Sequence, residues 1–406
     1  MSSRVKASVV FSSMLLTIML VVGAVIGRSE EKSDGAYKPL SVYTEVLARI
    51  KSDYVEEPDI QQVTRGALQG LVEYLDPMSS YLSSEQYEEY KGRIGYQDAG
   101  RGWSTGLFVH KRGMYTAVLS VLPGSSADKA GIEPGDLIEA LDDRGTRLMP
   151  PALLYARLSG EPGSTVKVLV RASRGEYVDP MEHTLTRTEI QFPTVSSQML
   201  EGSLGLIDMD SFSEKSVEQV AAAVRKLSGQ GAKGLILDLR ENAIGDPQLG
   251  YRLAELFVSN TDLGSLRGQS FDDKSFKAGE STAITDLPLT ILLDRPASGA
   301  AEIAAAALLD NKRADLVGET TYGLAALQET IELEDGAALI LSVAKYHRPS
   351  GAALHSDGVE PNYQLEPAQL RLYRNPDQRE PDYKDPFIEK AREVLTGEAA
   401  ELEKAA

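Results

Sequence analysis

Between Leu204 and Val317 short, nearly uninterrupted apolar runs alternate with amphipathic ones, and this alternation limits the possible folds more than any other feature of the chain. Leu204–Met209, Leu289–Leu293 and Ala314–Val317 read as strands, and Gly234–Leu239 as a buried strand. Val217, Val220, Ala221, Val224 and Leu227 recur at helical spacing, as do Leu249, Leu253, Leu256 and Phe257, and Ala300–Leu309 is an Ala-rich helical run. Strand, helix and strand in sequence require crossovers, so an α/β core with a partly parallel sheet is expected. Two later runs, Glu329–Leu333 and Ala338–Ala344, flank Asp335-Gly336 and predict a hairpin.

Upstream the texture differs. Val42/Tyr43, Val46/Leu47, Ile50 and Tyr54, then Ala67/Leu68, Leu71/Val72 and Leu75, predict two helices, the second ended by Asp76-Pro77. From about Gly100 to Ile190 the pattern is β-like, with Met114–Ser120, Leu137–Leu141, Val166–Ala172 and His183–Thr186 separated by Gly/Pro turns. Within it, the segment from Leu122-Pro123-Gly124 through Ala130-Gly131-Ile132-Glu133-Pro134-Gly135-Asp136-Leu137-Ile138 resembles the turn, short helix, turn and strand of PDZ domains. Ser104-Thr105-Gly106-Leu107-Phe108-Val109 stands where such domains carry a Gly-Φ-Gly-Φ carboxylate-binding loop, with Ser104 in place of the first glycine. The resemblance implies that backbone N–H groups around Gly106 receive a C-terminal carboxylate. Thr105, Gly106, Leu107, Phe108 and Val109 would then form the peptide site, with β-augmentation along the strand that follows.

The N-terminus bears on the compartment. Ala7 to Gly27 carries no charged residue, and Arg4 and Lys6 precede it, so a single-pass helix with the body outside the cytoplasm is expected. An uncleaved anchor is favoured over a signal peptide cut near Val22-Gly23-Ala24, which would instead release a secreted body. The expected setting is the inner (cytoplasmic) membrane, with a periplasmic or extracellular body. The organisation is therefore 1–27 anchor or signal peptide, 28–37 polar linker, 38–99 helical region and 100–190 PDZ-like insert. An α/β core follows over 191–366, and 367–406 is a charged tail with a docking helix at Phe387–Leu395. A formal charge of −18 argues against binding nucleic acid. The absence of cysteine excludes disulfides, thiolate metal sites and a Cys nucleophile. The four histidines (His110, His183, His347 and His355) show no metal-ligand spacing and read as surface or strand residues, so no metal site is expected.

Helical region, PDZ insert and α/β core in this order resemble the carboxyl-terminal processing (tail-specific) serine peptidases, whose core is of the crotonase/Clp type. Leu75-Asp76-Pro77-Met78-Ser79-Ser80-Tyr81-Leu82 (the family usually has His at Met78), Gly234-Leu235-Ile236-Leu237-Asp238-Leu239-Arg240 and Lys345-Tyr346-His347-Arg348-Pro349-Ser350-Gly351 carry the likeness. The resemblance implies a Ser nucleophile and a Lys base, with no cofactor. Such a dyad needs a hydroxyl beside a base of lowered pKa and donors for the oxyanion.

The family pattern Ser-Ala-Ser-Ala-Ser-Glu-Ile aligns with Ala297-Ser298-Gly299-Ala300-Ala301-Glu302-Ile303, and Glu302 and Ile303 fix the register. The nucleophile position is then Gly299. Phe-Gly-Lys-Gly-x-x-Gln aligns with Tyr322-Gly323-Leu324-Ala325-Ala326-Leu327-Gln328, so Leu324 takes the place of the base and Gln328 is retained. Taken alone, Gln328 reads as a residue that hydrogen-bonds backbone. The oxyanion loop Asp-Leu-Arg-x-Asn-Pro-Gly-Gly reads Asp238-Leu239-Arg240-Glu241-Asn242-Ala243-Ile244-Gly245, with β-branched Ile244 where glycine is usual.

No catalytic residue is therefore expected. The leading expectation is a tethered pseudopeptidase that binds protein C-termini and presents substrates to, or regulates, an active relative. One alternative is an active endopeptidase with a rearranged dyad using Ser298. Lys312, the base weighed with it, stands in a charged neighbourhood with Asp310 and Arg313 that reads as surface. Another is a structural envelope protein with a closed or vestigial PDZ groove. An unrelated enzyme on the same core has no acidic or His cluster to support it.

Overall fold

The computed structural model describes residues 34–94, 103–173, 179–189, 195–243, 245–374 and 383–397. The proposed span at Ala7–Gly27 lies outside the described residues. Among the described residues no helix is long and apolar enough to cross a membrane. The chain divides into two compact units at Leu68/Gln69.

Helix α1 (Asp34–Asp53) and helix α2 (Ile60–Glu73) correspond to the two upstream periodic stretches. Among its described residues α1 buries none, and Leu40, Val42 and Val46 remain exposed. Beyond Asp76-Pro77, strand β1 (Ser80–Leu82) leads into α3 (Ser84–Ile94).

The β-rich insert is entered and left through one short ribbon, β2 (Trp103–Ser104) paired with β9 (Thr188–Glu189). Between them run β3 (Leu107–Arg112), β4 (Tyr115–Val121), α4 (Ser126–Lys129), β5 (Leu137–Leu141), β6 (Arg144–Gly145), α5 (Pro151–Leu158), β7 (Thr165–Arg171) and β8 (Met181–Thr186). The sheet order is β3-β4-β5-β7-β8, which leaves β3 at an edge. Helix α5 was not anticipated among Gly/Pro turns. Pro151 opens it, where a missing N–H costs nothing, and nearly every side chain in it is buried, so it lacks an amphipathic period. Leu107, Val109, Leu153, Leu154 and Leu158 share a core that Leu82, Tyr87, Ala338 and Ile340 extend from outside the insert.

The α/β core is a six-stranded sheet. Strands β10 (Ser196–Leu200), β11 (Leu204–Asp208), β12 (Gly234–Asp238), β15 (Leu289–Leu293), β16 (Ala314–Gly318) and β19 (Tyr363–Gln364) lie side by side in that order, all parallel except β10. The pleat sorts consecutive residues onto opposite faces. Ile207, Leu235, Leu237, Ile291, Leu293 and Leu316 meet helices α6 (Glu214–Gly229), α7 (Gln248–Glu255) and α8 (Ala300–Asp310). Leu206, Ile236, Leu292 and Val317 face the opposite way, against α9 (Pro367–Arg374) and α10 (Pro386–Thr396) through Leu370, Phe387 and Ala391. A double-sided apolar sheet is the reason these strands read as continuous runs.

A second sheet is built on β18 (Ala338–His347), which pairs with β1, with β17 (Ala326–Glu332) and with β13 (Asp262–Gly268), and β13 in turn pairs with β14 (Phe271–Lys277). The β17–β18 turn has Gly336 at φ +81°. Strand β14 (Phe-Asp-Asp-Lys-Ser-Phe-Lys) escaped sequence reading because it is polar, with Phe276 stacked on Tyr251 at 4.2 Å. Two expectations are corrected here. His355 is not a surface or strand residue: it is 1 % exposed, in a loop, with Nε2 3.7 Å from Asp76. Asp310 and Arg313 are not free surface charges. Asp310 is bound by Arg348, and Arg313 donates to the carbonyls of Phe257, Thr285 and Leu287, which ties the segment after α8 to the loops after α7 and before β15.

Candidate active site

Three loops converge beyond the C-terminal ends of β12 and β15, where open α/β sheets present their ligand crevices. The first follows β15. Asp294 turns back to accept the N–H of Ala297 (3.2 Å) and that of Glu241 (2.8 Å), which ties this loop to the one after β12. Burial pushes the Asp294 carboxyl up to about 7. The Ser298 N–H donates to the Asn242 carbonyl at 2.9 Å, a second tie between the loops.

Gly299 then caps α8 with φ 60° and ψ −113°, a conformation that residues with a Cβ rarely adopt. The space there is nonetheless open. A Cβ at 299 would meet only the Leu324 carbonyl oxygen, at 3.7 Å.

Glu302, one turn into α8 and fully buried, organises the site. Its Oε2 accepts the N–H of Gly299 (2.9 Å) and of Leu324 (3.0 Å). Its Oε1 accepts the Thr321 hydroxyl (2.6 Å) and the Gly323 N–H (2.5 Å). Burial raises this carboxyl to about 7, against the pull of those four donors toward the ionised form. One carboxylate thus fastens the start of α8 to the loop ahead of β17. Sequence reading used Glu302 only to set register. The available signal was a glutamate inside an otherwise apolar helix, which must find partners.

The loop after β12 is shaped by Gly245, at φ +127°, where a Cβ would lie 2.3 Å from the Phe212 carbonyl oxygen. Ile244 lies outside the described residues. Asn242 is buried and its Nδ2 donates to the Met209 carbonyl at 2.8 Å. Asp238 and Arg240 form a close ion pair at the base of this loop, and Arg240 reaches Asp385 at 2.8 Å.

The structure therefore brings Gly299, Leu324, Ser298 and the loop bearing Gly245 into one place. Ser298 is 4 % exposed, and Gln328 directs its amide to the Met78 carbonyl at 2.9 Å. Lys312 is exposed just beyond the far end of α8, about 20 Å from Gly299 by helix rise. The β-rich insert reaches the site. Ser120 on β4 donates to the Glu241 carbonyl at 2.8 Å, and the His110 ring on β3 stacks on Tyr322 at 4.5 Å. Thr105, Gly106, Leu107, Phe108 and Val109 lie at and before the start of β3, all buried except the half-buried Phe108.

Comparison with known proteins gives a consistent picture. Residues 203–365 match the model of peptidase family S41, and residues 118–171 match a PDZ domain. The carboxy-terminal processing protease CtpA of Bacillus subtilis is 30 % identical over 366 residues, covering 89 % of this chain and 76 % of that protein. A carboxyl-terminal-processing protease of Synechocystis is 33 % identical over 325 residues, covering 78 % and 74 % respectively. Among solved structures, the photosystem II D1 C-terminal processing protease superposes with a TM-score of 0.62 at 26 % identity, covering 81 % of this chain and 93 % of that one.

Proposed function

Because the chain belongs to the carboxyl-terminal processing proteases of peptidase family S41, we propose that it is a member that keeps the fold and the peptide-reading module but not the chemistry. In this reading it is held in the cytoplasmic membrane by Ala7–Gly27. Its body binds the C-terminal segments of other proteins outside the cytoplasm, and presents them to an active relative or regulates that relative.

One observation carries the proposal. The backbone N–H groups of Gly299 and Leu324 donate to the same oxygen of Glu302, which keeps together the two positions that the family register assigns to nucleophile and base. At one of them stands a hydrogen atom, at the other an isobutyl group. Neither attacks a carbonyl or takes up a proton. Loss of a nucleophile costs on the order of a million-fold in turnover.

The rearranged-dyad alternative fares worse. Ser298 is buried, and Lys312 is a whole helix length away.

The test is binding and cleavage measured together on peptides with free and with amidated C-termini, using mass spectrometry for products. Carboxylate-dependent binding without products is expected. Cleavage abolished by Ser298→Ala would overturn the proposal. Membrane fractionation of the full-length chain tests the tether, and recovery only in the soluble fraction would refute it.

A further inference from the structure

The reading groove of the PDZ module is already occupied by the module's own hydrogen bonds. An incoming C-terminus needs two things from such a groove: consecutive N–H groups for its carboxylate, and main-chain groups on the free edge of β3 for its backbone. Here the three consecutive N–H groups all have internal acceptors. Thr105 N–H donates to the Leu158 carbonyl at the end of α5 (3.3 Å), Gly106 N–H to the Ser104 hydroxyl oxygen (3.3 Å) and Leu107 N–H to the Thr105 hydroxyl oxygen (3.4 Å). On the edge of β3, the Val109 carbonyl accepts the hydroxyl of Tyr155, which reaches across the groove from α5. Burial pushes the Tyr155 phenol upward, so it stays a neutral donor throughout the physiological range.

We infer that the groove is self-latched, with Tyr155 and Ser104 competing directly with the C-terminal peptide for the groups it must bind. The inference rests on the module being a reader of C-termini, as proposed above, and adds how that reading is set.

The argument is one of exchange. The three loop bonds are long, near the outer limit of hydrogen-bond geometry, and neutral. An ionised carboxylate makes charge-assisted bonds roughly twice as strong, so it displaces hydroxyl acceptors. The Tyr155 contact must also open before a peptide strand can pair with Val109. A site that must first open binds more weakly by the fraction of time it is open, whichever ligand follows. Removing a latch therefore tightens binding of every peptide by the same factor. A tyrosine that recognised the peptide, or merely supported the fold, would do the reverse.

The experiment uses the full-length chain and fluorescein-labelled octapeptides ending in an apolar residue, each with a free and an amidated C-terminus. Tyr155→Phe keeps the ring and removes the hydroxyl; Ser104→Gly removes the acceptor at the other end and reads the same latch if the first variant fails to fold. Each is expected to lower Kd for free-carboxylate peptides about twofold to tenfold, the span of one neutral hydrogen bond, with the preference over amidated peptides unchanged. Carboxylate-dependent binding by the wild type that is equal or weaker in both variants overturns the latch and leaves the reader standing. Failure of the wild type, both single variants and their combination to bind any free-carboxylate peptide overturns both.

Discussion

The carboxylate of Glu302 accepts from three backbone N–H groups and one hydroxyl while fully buried, so it is costly to replace and sensitive to pH. Glutamine offers one acceptor oxygen and turns an NH2 group toward N–H donors. At least one donor is then orphaned, at about 1–3 kcal/mol. Glu302→Gln is therefore expected to lower stability by about that amount in urea unfolding. The pH dependence has a definite sign. The folded carboxyl titrates near 7 rather than at the usual 4.5, so between these values the folded state holds the proton and the unfolded state does not. Stability from this group is full below pH 4.5 and is lost as pH rises toward 7, and Asp294, also raised to about 7, adds a slope of the same sign. Unfolding free energies of the wild type are expected to fall between pH 5 and 7. The variant should show a shallower fall, its penalty narrowing toward pH 7.5. A variant with the wild-type slope would refute the assignment to Glu302.

At the scale of elements, the C-terminal helix α10 is held by a short list of contacts that can be cut one at a time. Asp385 caps it by accepting the Phe387 N–H at 2.9 Å and also binds Arg240, whose guanidinium lies 4.7 Å from the Phe387 ring. Phe387 itself is fully buried against β15 and β16. Phe387→Ala is expected to cost about 3–5 kcal/mol, as large aromatic truncations in cores do. It should also raise hydrogen exchange in α10 ahead of the parallel strands. Equal protection of helix and sheet would mean that α10 is not a separable element. This helix was legible in the sequence because half-burial imprints a period on the residues, the parallel strands because burial on both faces leaves short continuous apolar runs, and the β17–β18 hairpin by its Asp335-Gly336 turn. Helix α5 and strand β14 were not, one being apolar on every side and the other polar along an edge. The site divides along the same line. Gly299 and Leu324 could be placed by register, whereas the Glu302 clamp and the Tyr155 latch join segments 19 or more residues apart through hydrogen bonds that leave no period.

For the whole molecule, the candidate site is a meeting of parts that the chain holds far apart in sequence: the loop after β12, the start of α8, the loop before β17 and two strands of the insert. Catalysis requires all of them at once, and small displacements are costly. On the function proposed above, Gly299→Ser together with Leu324→Lys restores two of the groups. The serine has room, with its Cβ 3.7 Å from the Leu324 carbonyl oxygen, but φ 60° burdens it with roughly 1–3 kcal/mol of backbone strain. The lysine arrives beside Glu302, whose carboxyl is within hydrogen-bond reach of its backbone, and a neighbouring carboxylate raises an ammonium pKa rather than lowering it toward neutrality. The loop that would donate to an oxyanion still carries Ala243-Ile244 in place of Pro-Gly. The double variant is therefore expected to fold, with a lower melting temperature, and to leave unstructured peptides uncut over hours by mass spectrometry. The triple variant with Ile244→Gly is the informative comparison. Turnover by the double variant alone would show that the oxyanion loop was never impaired, whereas turnover confined to the triple would locate the last missing function in that loop.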